Sequence, residues 1–224
     1  MSGIRRNENP TAQAIYRAAV DLFYKQGYAA TTLRQVAERV GLQVGSLYNH
    51  ITSKEEMLYR IMHGLMDDLI AETEAAMNAV DDPVEKIGAF MRAGIRFSGR
   101  NRRESLIGTT ELRALTAGKR RSIIALRDRY QALLAGAIKE AAAAGRISVP
   151  DEQMSVFAGI AICAHVAGWY RDRQRLDLDD VADYLCKMYA PLASAKPGTS
   201  SARRPARSPA VAAERSSPAA GPLG

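Results

Sequence analysis

Seven residues between Gln43 and Lys54 carry the most legible chemistry of this chain: Gln43, Gly45, Ser46, Tyr48, Asn49, His50 and Lys54. Amide and hydroxyl side chains at helical spacing can exchange hydrogen bonds with base edges and phosphates, and a glycine lets the backbone come close. Val44 and Leu47 point to the other side, with Leu42 just before them, so the segment reads as a short helix with a polar, aromatic outer face. Such a face suits a DNA major groove. Catalytic patterns are missing from the sequence. There is no GxSxG elbow, phosphate-binding glycine loop or HExxH, and His50, His63 and His165 show no paired-ligand spacing. The sequence therefore reads as a non-enzyme and implies no cofactor and no metal.

The neighbouring elements must hold that face in place. Thr31 or Thr32 caps a helix whose Leu33, Val36, Ala37 and Val40 share one side. Gly41 stops it, and the next helix, about 44–51, starts within a few residues, which makes a helix-turn-helix. Ser53 caps a third helix, with Glu56 placed to complete a capping box. Lys54 opposes the dipole at that helix start, and a nearby phosphate supplies a reason for its presence. A helix over 11–26, with Ile15, Ala18, Ala19, Leu22 and Phe23 at helical spacing, packs behind the pair.

Gly27-Tyr28, Thr31-Thr32, Tyr48-Asn49-His50 and Ser53-Lys54-Glu55 closely resemble the DNA-binding domain of the TetR family of bacterial transcriptional regulators, over residues 11 to 60. Ile51 stands where the family more often has phenylalanine. The resemblance implies an all-α fold: an N-terminal three-helix DNA-binding domain with the helix-turn-helix, and a larger C-terminal helical domain for ligand binding and dimerisation. By position it gives phosphate contacts to Thr32, Tyr48, His50 and Lys54, and draws base readers from Arg34, Gln43, Val44, Gly45, Ser46 and Asn49. It also implies a double-stranded, palindromic DNA operator and a homodimer formed by the last two helices.

Charge divides the chain in the same places. Residues 1–60 hold eight Lys/Arg and five Asp/Glu, 61–194 hold eighteen of each, and 195–224 hold five against one, which gives +3, 0 and +4 of the net +7. A basic head, a neutral body and a basic tail fit a protein that meets DNA at one end. The expected divisions are a flexible arm at 1–10 with Arg5 and Arg6, a helix-turn-helix domain at 11–53, a helical body at 54–194 and a disordered tail at 195–224. In that tail Ala, Pro, Ser and Gly make up 21 of the 30 residues. No stretch is long and apolar enough for a membrane span and no signal peptide precedes the first helix, so a cytoplasmic protein is expected. Cys163 and Cys186 lie in apolar helical patterns and read as small buried hydrophobes.

Helices are expected over 54–80, 83–98, 102–115, 119–144, 151–172 and 178–193. The fifth of these is apolar around most of its circumference and must be covered on more than one side. The dimer interface implied by the resemblance covers it, with Ala158, Gly159, Ala161, Ala164 and Gly168 allowing close approach; a buried core helix is the alternative.

Met62, Met66, Phe90, Phe97 and Ile107 offer an adaptable apolar interior for a small hydrophobic effector, while His165 and Trp169 share a face one turn apart. Glu111 to Tyr130 and Gly168 to Arg171 resemble a TetR branch that senses acyl-coenzyme A (acyl-CoA) thioesters. That ligand's phosphates could meet Arg102 and Arg103, Arg120 and Arg121, or the Arg171, Arg173 and Arg175 group. Sensing of a lipophilic drug by an efflux regulator, or ligand-independent DNA binding, remain the rival readings.

Overall fold

The computed structural model describes residues 9–172 and 175–194, with side chains described up to residue 190. Arg5, Arg6, Arg173 and the whole 195–224 tail lie outside the described residues. Among those described the protein is all-α, with nine α-helices and one 3₁₀ turn. They are α1 (Pro10–Gln26), α2 (Leu33–Arg39), α3 (Val44–Leu47), α4 (Lys54–Asn78), α5 (Pro83–Arg100), α6 (Arg102–Thr110), the 3₁₀ turn Leu112–Ala114, α7 (Ala117–Ala143), α8 (Glu152–Trp169) and α9 (Leu178–Ser194).

Capping chemistry sets the starts. The Asn9 side chain accepts from Ala12 N and Pro10 opens α1, while Asp82 accepts from Val84 N and Glu85 N ahead of Pro83. Thr32, and not Thr31, caps α2, in a reciprocal box with Gln35. Thr31 is buried and donates its hydroxyl to Gly27 O at 2.8 Å. Gly41 has φ 70°, and the backbone reverses there through Leu42 N bonding Ala37 O at 2.9 Å.

Three boundaries differ from the sequence reading. The recognition helix stops at Leu47 instead of Ile51, because Asn49 N and His50 N bond Ser46 O and Leu47 O in tightened turns. The 102–115 segment breaks at Glu111 and continues as a 3₁₀ turn, after which Leu115 is buried in the cluster of the head. Tyr170 takes an extended backbone and is buried, ending α8 before residue 172.

Two apolar clusters organise the packing. One joins Ile15, Ala19 and Phe23 of α1, Val36 of α2 and Leu47 of α3 to Leu58 and Ile61 of α4, and it extends to Ile107, Leu115 and Ile123 of the body. Leu47 is fully buried, worth about 1.5–3 kcal/mol, and anchors the four-residue α3 on its inner side. The other cluster packs α5, α7, α8 and α9 around Phe90, Ile95, Leu134, Ile138 and Tyr189. Cys163 and Cys186 are free and buried within it, and burial pushes both thiols up, Cys186 to about 11.

Candidate nucleic-acid interface and effector cavity

At the α3 end, the buried Leu47 fixes one side of the helix and the other side is left outward. Gln43, Gly45, Ser46, Tyr48 and Asn49 are exposed, Val44 and His50 are half-buried, and Tyr48 is 54% accessible despite its size. A side chain added at Gly45 would meet nothing within 4 Å, so internal packing does not require a glycine there. Arg34 is exposed on α2 and bound to Glu38 at 2.8 Å, and Thr32 sits exposed at the helix start.

Lys54 has partners within the head. Its ammonium group donates to Tyr28 O at 2.9 Å, Thr31 O at 2.8 Å and Ala29 O at 3.3 Å, and lies 4.4 Å from the Tyr28 ring centre. An ammonium has three donors, and here all three meet backbone carbonyls of the α1–α2 loop. These bonds supply an internal reason for a cation at this helix start: it fixes the loop ahead of Thr32. Ser53 does cap α4, accepting from Glu56 N at 3.0 Å, but the Glu56 carboxylate turns to Arg60 and Lys119 instead of closing a capping box.

The head is joined to the body through charge as well as apolar packing. Glu55 accepts from Thr116 N at 2.8 Å, at the start of α7, and that bond holds its pKa below the usual carboxylate range. Lys119 lies 2.9 Å from Glu56 and lowers the pKa of that group too. The nearly buried Asp21 of α1 receives Lys25, Arg39 of α2 and Arg103 of α6. Burial opposes its ionisation, but the three cations outweigh it and its pKa stays low. Asp21 thus ties the helix-turn-helix to α6.

Inside the body, a cavity of about 320 Å³ lies between α4, α5, α6, α7 and α8. Its apolar wall includes Met62, Leu65, Met66, Leu69 and Phe97, with Ile160 and Ala164 on the α8 side. Its polar wall is Ser98, Ser105, Thr109, Arg127, Tyr130 and Gln131. The Tyr130 hydroxyl is buried near Thr73 and Cys163 but in hydrogen-bonding geometry with neither, and burial raises its pKa well above the usual value.

Of the residues named from the sequence as an effector site, Met62, Met66 and Phe97 come together on this cavity. The others do not. Phe90 is fully buried and stacks on Tyr130 with ring centres 4.7 Å apart, and Ile107 belongs to the head cluster. His165 and Trp169 are exposed on the far side of α8, Trp169 beside a second, shallower pocket with Arg175 and Tyr184.

The expected arginine clusters are dispersed. Arg100 meets Glu72, Arg102 donates to Ala167 O at 3.0 Å, and Arg103 binds Asp21 beside the Tyr24 ring. Lys119 is held by Glu56, leaving Arg120 half-buried and Arg121 exposed with no ion pair between them and the described acids. Gly159 faces inward, where an added side chain would strike Leu134 at 2.7 Å, so it serves packing within the subunit and not approach by another chain. Sequence reasoning missed Arg127, Ser98, Ser105 and Gln131, because polar residues on helices otherwise read as solvated faces.

A short, exposed polar helix on a helix-turn-helix, packed against an all-helical body with an internal cavity, is the arrangement of a DNA-binding regulator with room for a ligand. Residues 15–61 match the model for bacterial regulatory proteins of the tetR family, and residues 80–191 match the tetracyclin repressor-like C-terminal domain. The chain belongs to the TetR family of transcriptional regulators, and it is a DNA-binding factor and not an enzyme.

It is 28% identical over 179 residues to the HTH-type transcriptional repressor KstR2 of Rhodococcus jostii (strain RHA1), which covers 79% of this chain and 88% of that protein. A match at 28% to KstR2 of Mycobacterium tuberculosis (strain ATCC 25618 / H37Rv) covers 58% of this chain and 66% of that one. The crystal structure of AibR in complex with isovaleryl coenzyme A and operator DNA superposes with a TM-score of 0.74 at 27% identity, over 81% of this chain and 98% of AibR. Among the described residues no helix is long and apolar enough to cross a membrane.

Proposed function

We propose that this protein is a transcriptional repressor that holds a palindromic operator as a homodimer and is released by a small hydrophobic effector, an acyl-CoA thioester. The observation that carries the reading is the position of α4. The helix begins under the helix-turn-helix, where Met57, Leu58 and Ile61 join the head core, and four residues further along its length line the cavity: Met62, Leu65, Met66 and Leu69. A ligand between α4 and α8 changes the packing of the helix that carries the reading head. Only a ligand that binds the two arrangements unequally can shift them.

In this reading residues 11–53 are the DNA-binding domain and 54–194 the effector and dimerisation domain. Thr32, Tyr48 and His50 meet phosphates, Arg34, Gln43, Val44, Gly45, Ser46 and Asn49 supply the base contacts, and Lys54 acts by holding the loop before Thr32. The homodimer forms through α8 and α9. Met154, Phe157, Ala161 and Ala164 form an exposed stripe on α8, and Tyr184 and Met188, 62% and 57% accessible, continue it on α9. Large apolar side chains left this bare mark an interaction face. Two copies then place their reading helices in successive major grooves, about 34 Å apart.

The effector class rests on the cavity's thioether and aliphatic wall and on the relatives: KstR2 is named a repressor, and AibR was crystallised with isovaleryl coenzyme A and operator DNA. The acyl chain lies against the apolar wall of the cavity. Titration of the protein on DNA from its own upstream region, with and without a panel of acyl-CoA thioesters and their free acids at fixed salt, tests this. Release by a thioester and not by its acid is expected; DNA binding that ignores the whole panel would remove the thioester from the reading.

A further inference from the structure

The cavity wall contains one charge, and it is uncompensated. Arg127 donates to Gly108 O at 2.7 Å, a bond that pins the guanidinium between α7 and α6, and no carboxylate among the described residues pairs with it. Several other arginines of the body are paired with acids. Arg92 meets Asp183 at 2.6 Å, Arg129 meets Glu74 at 2.7 Å and Arg146 meets Asp82 at 2.5 Å, each on the surface. Arg127 is the arginine whose pKa burial lowers, with nothing opposing the effect. Arg127 is half-buried, so its guanidinium is partly withdrawn from water on a largely apolar wall, where an anionic acceptor would meet it favourably. Gly108 O occupies one of its five donors, which leaves others for a further acceptor on a wall that also holds Ser105, Thr109 and Gln131.

We infer that Arg127 is the anion anchor of the effector cavity: it receives an anionic oxygen group on a ligand whose apolar part lies against Met62, Leu65, Met66 and Phe97. This deepens the effector reading above and rests on that cavity being the effector site. The anion is either a carboxylate or a phosphate of a coenzyme A thioester, since both offer two oxygens to the guanidinium fork. Because Arg127 bonds to Gly108 on α6, and α6 reaches Asp21 through Arg103, the anchored group sits where a shift of α6 is felt by the head.

The test is calorimetric titration of the full-length protein with octanoate, octanoyl-CoA and octanol, for the wild type, Arg127→Gln and Arg127→Lys. Wild type is expected to bind at least one of the two anions more tightly than octanol. Arg127→Gln is expected to weaken that anion roughly 10- to 100-fold and leave octanol unchanged, with Arg127→Lys in between. Whichever anion shows the loss identifies the group.

The melting temperature of ligand-free Arg127→Gln should stay close to that of wild type, whereas an arginine serving only to tie α7 to α6 would lower it without changing anion selectivity. Equal anion affinity in wild type and Arg127→Gln overturns the inference, as does octanol binding as tightly as both anions, or no binding of any of the three. Operator release by acyl-CoA is read separately on DNA. Its persistence in Arg127→Gln at the wild-type concentration would leave the thioester effector standing while Arg127 falls.

Discussion

The α3 end and the α8–α9 face both leave side chains without partners in the subunit, and they differ in every other respect. At α3 the unpartnered groups are an amide pair, a serine, a tyrosine and a glycine around a four-residue helix. On α8 and α9 they are methionine, phenylalanine, alanine, tryptophan and tyrosine along helices of 18 and 17 residues. Polar groups left to water lose little, so their arrangement is free to follow an external polar surface. Apolar groups left to water are costly at about 25 cal/mol per Å², and that cost disappears only against another apolar surface. The same geometric condition therefore points to nucleic acid at one end and to a second copy of the chain at the other.

The hardest way to break that contrast is to make the apolar face polar. Phe157→Glu combined with Met188→Glu should leave the helical content intact and yield monomers by sedimentation. It should lower affinity for a palindromic operator by about 1,000-fold or more, since the specific mode depends on two half-sites. A dimer that survives the double change would remove the α8–α9 interface.

Lys54→Ala sharpens the other side. Loss of three hydrogen bonds to loop carbonyls should cost roughly 1–3 kcal/mol of stability and weaken binding to all sequences alike. Its salt dependence decides between two roles. A lysine that acts internally leaves the slope of log K against log salt unchanged, whereas one that neutralises a phosphate reduces it by about 0.9.

Gln43→Ala and Asn49→Ala should alter base preference at single operator positions, by about 1 kcal/mol each, with the melting temperature unmoved. An unchanged operator profile in both would remove them as readers.

The smallest effect is at the junction between the two regions. Glu55 and Glu56 have folded pKa values held below 4.5, so their contribution to stability is present above that value and is lost as pH falls through the lowered folded values. Lys119→Met should flatten this part of the acid melting profile, as followed by circular dichroism, and an unaltered profile would show that the α4–α7 charge link contributes nothing.

The head was legible because its signals are local. Thr32 caps within its own helix, Gly41 takes its positive φ at one turn, and Leu47 is the one apolar residue of α3 that is fully buried. The helix order followed from 3.6-residue periodicity and capping, elements that a chain encodes within a few residues of itself. The cavity was not legible in this way. Met62 and Phe90 have the same apolar character in sequence, yet one lines the cavity and the other stacks on Tyr130.

Lys54 and Arg127 make the same point for charge. Their partners, Tyr28, Ala29 and Thr31 for one and Gly108 for the other, are carbonyls 19 to 26 residues away, and a backbone carbonyl leaves no mark in the sequence. By itself the sequence determined the family, the order of the helices and the exposed polar face of α3, because those depend on contacts between near neighbours. Only the tertiary structure decided which cations are already satisfied, which arginine lines the cavity without an acid, and where the apolar residues leave space, because those depend on which distant segments the fold brings together.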